Sequence, residues 1–359
     1  MKHYDVCVLG FWYATNYGSL LNGYAIYRIL KKMGKSVLML QKPNSSCCDP
    51  ELYCGHNIRF IEQFYSKDSI SNFYDSSNLD ELNNLCDCFC AGSDQIWNYP
   101  LSFGEIMYLP FVSNDKKRIS IATSFGEIKQ NFPNDSVSRL AKYFSNFSKI
   151  SVREQFGKTI LKEKFGIESD CVLEPTFCID KQIYENIISS SHFHENDYVL
   201  AYILNPTEEK LKFLKITETK LNKKIVVIAD GDLTSKYAPW SNKKYVKMFP
   251  NVYCDIDVSD FLKAFKSASY VITDSFHGSV FSIIYNKQFI TFCNYCRGAE
   301  RFYDLLDKFK LSWRLMEKGD DLRKYKLLLR KKIKYKNVNK KINEEKDKTL
   351  RWINTAINC

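Results

Sequence analysis

Of the five histidines, His3, His56, His192 and His194 fall near the N-terminus or in segments without regular pattern. Only His277 lies where an apolar strand pattern gives way to an apolar helix pattern, in SYVITDSFHGSVFSIIYN, Ser269 to Asn286. An imidazole there can serve as acid or base near neutral pH. It shares the strand tip with the hydroxyls of Ser275 and Ser279 and with a helix start at Gly278, whose backbone N–H groups favour an anion. Asp274, three residues earlier, is placed to orient the ring.

Three further segments put polar residues where strands end and helices begin, the usual ligand position in open α/β sheets. In TNYGSLLNGYAIYRIL, Thr15 to Leu30, the helix start carries Asn16, Gly18 and Ser19. It reads either as an anion site or as an ordinary helix cap. In AGSDQIWN, Ala91 to Asn98, Gly92 permits close backbone approach and Asp94 can bind or deprotonate a hydroxyl. Trp97 could stack on a sugar face, whereas Asp94 could simply cap the next turn. Arg153 emerges at the end of a strand in SVREQFGKTILKEKFGI. Its planar fork fits a carboxylate or phosphate, the alternative being an ion pair with Glu154 or a neighbouring helix. No GxSxG, P-loop or GxGxxG motif occurs. Cys293 and Cys296 have zinc-ligand spacing but lack a second pair, so no metal site is expected.

The elements that must position these residues alternate strand and helix. Strand patterns at 4–9, 36–40, 87–91, 118–122, 149–152 and 170–173 and helix patterns at 18–33 and 154–165 give a βαβ rhythm, hence parallel sheet. A polar break at 181–196 is the expected linker. The rhythm resumes with strands at 198–203, 224–229, 251–254, 269–273 and 288–292 and helices at 207–221, 258–267 and 278–285. The domains expected are 1–180, 197–310 and a basic helical tail over 311–359.

Charge sharpens this division. Between Lys308 and Arg351, 17 Lys and Arg stand against 6 Asp and Glu, so this segment alone accounts for the formal net charge of +11. A basic tail on a neutral body points to an acidic surface or anionic substrate rather than to nucleic acid. Its alternative is a helix that returns to the first domain with its charges in water. The uncharged run from Val6 to Tyr27 has polar residues at its centre and does not read as a membrane span. No secretory segment is recognisable, and the 13 cysteines include crowded groups such as Cys86, Cys88 and Cys90, expected on one strand face. A reducing cytoplasm is the expected location.

Four segments in order, NYGSLLNGYAIYRIL, GSDQIWN, SVREQFGKTILKEKFGI…VLEPTF and VITDSFHGSVFSIIYNKQFI, resemble the polysaccharide pyruvyl transferase family. Arg301 in RFYDLL adds a fifth match. Glu174-Pro175-Thr176 stands where the family usually has Asp-Pro-Thr, and residues 43–85 match nothing. The resemblance implies two Rossmann-like domains facing a cleft in a glycosyltransferase-B-like fold, with the acceptor on the N-terminal side and phosphoenolpyruvate on the C-terminal side. It implies pyruvate transfer from phosphoenolpyruvate to a sugar, forming a ketal, without cofactor or metal. Arg153, Arg301 and the helix start at Gly278 and Ser279 would hold the donor, His277 would be the general acid, and Asp94 would serve the acceptor hydroxyl. The acceptor in such a family can be lipid-linked, which would bring the basic tail to the inner face of the membrane. The competing readings are a nucleotide-sugar-dependent glycosyltransferase and a non-catalytic carbohydrate-binding protein of the same fold.

Overall fold

The structure is a computed structural model that describes residues 2–13, 15–41, 55–75, 77–99, 104–229 and 247–358. It contains two six-stranded sheets, parallel throughout. The first comprises β1 (Tyr4–Leu9), β2 (Val37–Met39), β3 (Cys86–Ala91), β4 (Lys117–Thr123), β5 (Lys149–Val152) and β6 (Asp170–Cys171), in spatial order β2-β1-β3-β4-β5-β6. The second comprises β7 (Tyr198–Tyr202), β8 (Lys224–Ile228), β9 (Asn251–Tyr253), β10 (Tyr270–Thr273), β11 (Phe289–Phe292) and β12 (Leu315–Met316), ordered β12-β11-β10-β7-β8-β9. The central strands are apolar on both faces, as strands covered by helices on both sides must be. β7, YVLAY, is buried at every position.

Strand order reverses between β1 and β3 in the first sheet and between β10 and β7 in the second, and a crevice opens at the carboxyl ends of strands at such a switch point. Register brings the relevant tips level: Leu9 opposite Ala91 in one sheet, and Thr273 opposite Tyr202 in the other. One apolar cluster spans both halves, with Tyr17 after β1 stacked on Phe261 of the second half at 4.5 Å.

Several expectations change. The segment 181–196 is no simple break: Lys181–Ile188 is a helix that buries Tyr184, Ile187 and Ile188. Residues 311–359 are no appendage, because β12 pairs with β11 and Arg314 is wholly buried. The last helix, Tyr335–Asn358, returns to the first sheet, where Thr349 Oγ1 accepts from Leu173 N at 2.8 Å and Trp352 Nε1 donates to Asp170 at 2.7 Å. Cys88 and Cys90 do share a face, but Cys86 packs with Cys7 in the other cluster. Within 43–85, residues 43–54 and 76 lie outside the described residues, and a helix follows at Gly55–Phe64.

Candidate active site between the two sheets

A cavity of about 150 Å³ opens where the two switch points face each other. Asn16 and Ser19 reach it from the helix after β1, Asp94 and Gln95 from the turn after β3, Ser275 and His277 from the turn after β10, and Arg297 and Arg301 from the segment after β11. Three of the four strand-end segments that the sequence singled out therefore converge here, from both halves of the chain.

Beneath Asp94 lies a buried ion cluster centred on Arg153. Its Nη2 donates to Asp94 Oδ1 at 3.1 Å, its Nε to Glu154 Oε1 at 2.7 Å and its Nη1 to Glu174 Oε2 at 2.8 Å. Burial opposes this charge, but Glu174, Glu154 and Asp94 hold the guanidinium protonated well above its ordinary range. Arg153 does not line the cavity. The expectation that it offers a fork to substrate is corrected: all three guanidinium nitrogens are engaged by the protein's own carboxylates.

Asp94 is held at φ 79°, a left-handed conformation uncommon outside glycine. Burial alone would raise its carboxyl, yet Arg153, His277, a hydrogen bond from Ser19 and Arg301 keep it well below the usual carboxylate range. A carboxylate so stabilised is a weak base. Its oxygens already accept from Arg153, Ser19 Oγ and Gln95 N, so the geometry favours hydrogen bonding and charge over hydroxyl deprotonation.

His277 sits in the first turn of the helix Phe276–Ile284. Its ring lies against the helix after β1, where a Cβ on Gly18 would fall 2.1 Å from Cγ and Nδ1. Gly18 is thus required as clearance for the imidazole. It is not an anion site, because Asn16 Oδ1 already accepts from the N–H groups of Gly18 and Ser19 at 3.0 and 3.2 Å. The carboxylate facing His277 is Glu174, with Oε1 3.6 Å from a buried Nε2. Asp274, expected to orient the ring, instead accepts from Leu204 N, Asn205 N and Lys210 Nζ at 2.6, 3.0 and 2.6 Å.

The helix start is partly self-satisfied. Ser275 Oγ accepts from Gly278 N at 3.2 Å, and buried Ser279 turns its hydroxyl toward Ser275 O and Thr291 Oγ1, away from a ligand role. A Cβ on Gly278 would strike Thr273 Oγ1, so this glycine serves close packing. The N–H groups of Phe276 and His277, first and second in the helix, have no acceptor within it.

Arg301 is buried and lines the cavity, and among the described residues no carboxylate pairs with it. Its Nη2 donates to Arg297 O, and its Nε has no partner. Turning the Gln95 amide lets its oxygen accept from both terminal nitrogens at 3.0 Å. Burial, reinforced by the nearby Arg153 charge, pushes Arg301 down to about 10. Arg297 stands beside it, donating to Asn205 Oδ1 at 3.1 Å. Arg297 and Gln95 escaped the sequence reading, although two arginines in RGAER at a spacing of four were a visible signal. Trp97 does not reach the site: it is wholly buried among Tyr108, Phe125, Phe144 and Phe147 and donates to Met107 O at 3.1 Å.

The description of a polysaccharide pyruvyl transferase family matches residues 16–297. No curated protein matches the chain. Among solved structures, a UDP-GlcNAc 2-epimerase of Methanocaldococcus jannaschii is similar at 15% identity and TM-score 0.56, covering 96% of this chain and 99% of that one. A UDP-N-acetylglucosamine 2-epimerase from Rickettsia bellii has 11% identity and TM-score 0.58 over 100% and 98%. Arabidopsis thaliana UGT89C1 has 12% identity and TM-score 0.55 over 100% of each chain. At these identities the likeness shows the fold alone, which is glycosyltransferase-B-like.

Proposed function

Because this chain belongs to the polysaccharide pyruvyl transferase family, we propose that it transfers pyruvate from phosphoenolpyruvate to a sugar of a cell-surface polysaccharide or its lipid-linked precursor, forming a ketal. The observation that carries this reading is a buried cation without a carboxylate partner, Arg301, set beside His277 in the cavity between the halves. Phosphoenolpyruvate brings a carboxylate and a phosphate. Arg301 and Arg297 supply the cations, and the helix start at Phe276 and His277 supplies N–H donors.

His277 delivers a proton to the methylene carbon of the donor, and C2 gains positive character. One sugar hydroxyl adds to C2, and its proton restores the imidazolium. The bond from C2 to the phosphate oxygen then breaks with its electron pair on phosphate. A second hydroxyl closes the ketal and gives its proton to that phosphate. Asp94 and Ser19 hold the acceptor hydroxyl by hydrogen bonding. The reaction takes place in the cytoplasm, at the inner face of the membrane where a lipid-linked acceptor would lie.

Incubation with phosphoenolpyruvate and a panel of glycans tests the reading: phosphate release with a matching pyruvyl mass increment is expected. Release of a nucleotide from a sugar donor instead would assign the chain to glycosyl transfer. His277→Ala should fold normally and lose at least ~10²–10⁴-fold in turnover. Near-normal turnover in that variant would remove His277 from the acid role.

A further inference from the structure

A basic concavity lies away from the cleft, between the turn that follows the helix Glu300–Lys308 and the first half of the helix Tyr335–Asn358. It encloses about 550 Å³ and gathers Lys308, Lys310, Lys334, Lys340 and Lys341 against one carboxylate, Glu344. Lys341 pairs with Glu345 at 3.1 Å, whereas among the described residues no carboxylate pairs with Lys310, Lys334 or Lys340. The floor is apolar, from Phe309, Leu311, Ile333 and Val338, with half-buried Trp313 beside them. The preceding helix, Leu322–Arg330, ends on Arg330, is followed by Lys331 and Lys332, and leaves Leu327 59% exposed. The basic tail is therefore not uniformly solvated. Its far end is docked on the first sheet, and its near end builds a cationic groove over an apolar floor.

We propose that this groove docks the protein on a bilayer through acidic phospholipid headgroups. Uncompensated lysines around an apolar floor with an interfacial Trp match a phosphate that carries acyl chains, and lysines within a Debye length of such a surface add to binding one by one. Arg301 at one end of its helix lines the cavity and Lys308 at the other lines the groove. Seven residues of helix separate them by about 10 Å. Docking would thus hold the cleft close to headgroup level. Among the described residues no helix is long and apolar enough to cross a membrane, so the contact is peripheral. The partner rests on the proposed use of a membrane-linked acceptor, but the binding is measured without turnover.

Vesicle sedimentation of the full chain tests it, with phosphatidylcholine alone or mixed with phosphatidylglycerol. Binding is expected only to the mixed vesicles, with release as salt approaches ~1 M and screening shortens to about 3 Å. The variant Lys310→Ala/Lys334→Ala/Lys340→Ala should lower partitioning on the order of 100-fold, about five-fold for each lysine. A variant with the same net charge, Lys162→Ala/Lys164→Ala/Lys212→Ala, should bind as the parent does, and circular dichroism of both checks folding. Equal binding to neutral vesicles, no binding at low salt, or equal loss in both variants would overturn the groove. Tight binding of inorganic pyrophosphate that abolishes vesicle binding would overturn it in favour of a soluble phosphate ligand. Phosphate release from phosphoenolpyruvate with a soluble glycan reports on the catalytic reading separately, whatever the vesicles show.

Discussion

Arg153 and Arg301 flank the ring of Phe276, with guanidinium carbons 4.4 and 5.1 Å from its centroid, and both are buried. Arg153 is surrounded by three carboxylates from its own chain, and among the described residues Arg301 has none at pairing distance. Burial works against both charges, but the carboxylates reverse it for Arg153, while nothing comparable does so for Arg301, which falls to about 10. One arginine has its anions built in, and the other stands open to an anion that must arrive. The first belongs to the framework that fixes Asp94 and Glu174 beneath the cavity, and the second to the cavity itself.

The largest expected effect of breaking this difference is on stability. Arg153→Met would leave Asp94, Glu154 and Glu174 buried without their common cation. Removing one partner from such a cluster typically costs about 3–5 kcal/mol. Urea unfolding should show that loss whether or not phosphoenolpyruvate is present. A variant as stable as the parent but weak in donor binding would return Arg153 to the role its strand-end position suggested.

Arg301→Met should act in the opposite sense. It removes a buried charge that among the described residues has no carboxylate partner, so stability should hold or rise slightly. Phosphoenolpyruvate affinity should fall ~10- to 100-fold, the loss of a charge-assisted hydrogen bond worth about 1.5–3 kcal/mol. Calorimetric titration and ligand-dependent Tm check both halves. A ligand that binds only the folded state raises Tm, so at one phosphoenolpyruvate concentration the variant should gain less Tm than the parent. An equal gain in both would place the donor elsewhere.

What the sequence made legible, and what it did not, follows the same division. The strand Lys149–Val152 and the helix Val258–Ser267 fall where the apolar pattern places them, because short apolar runs between polar punctuation are local information. His277 at its strand tip is local in the same way. The fate of Arg153 is not, since its partners Glu174 and Asp94 lie 21 and 59 residues away and only the folded sheet brings them together. Trp97 failed for a similar reason: an aromatic after a strand tip points to ligand or to core according to elements elsewhere in the chain. The helix Lys181–Ile188 was within reach. Tyr184, Ile187 and Ile188 at spacings of three and four form an apolar stripe that the polar residues between them obscured.

The smallest expected effect is on pH dependence, and it turns on the carboxylates of the Arg153 cluster. Asp94 and Glu174 would be raised by burial, but Arg153 leads the charges that hold both below their ordinary values. Depressed carboxylates contribute stability that is present above the unfolded range, near pH ~4, and is lost as pH falls through the folded values. Glu154 runs the other way: burial raises it despite Arg153, so its contribution is present at low pH and fades as pH rises through the folded value. Two contributions against one leave this cluster favouring neutral over acidic pH in the parent. In Arg153→Met the leading counter-charge is gone and burial weighs more heavily on all three carboxyls, so the cluster should shift toward protonation. Other carboxylates also titrate in this range, so the informative quantity is the stability difference between parent and variant, measured by urea unfolding from about pH 7 down to about pH 4. That difference should narrow steadily on acidification, because the variant's penalty is the cost of ionised carboxylates without a cation. A gap that stayed constant across this range would mean that the cluster is already neutralised at pH 7, and the contrast between a self-satisfied and an open arginine would then reduce to packing alone.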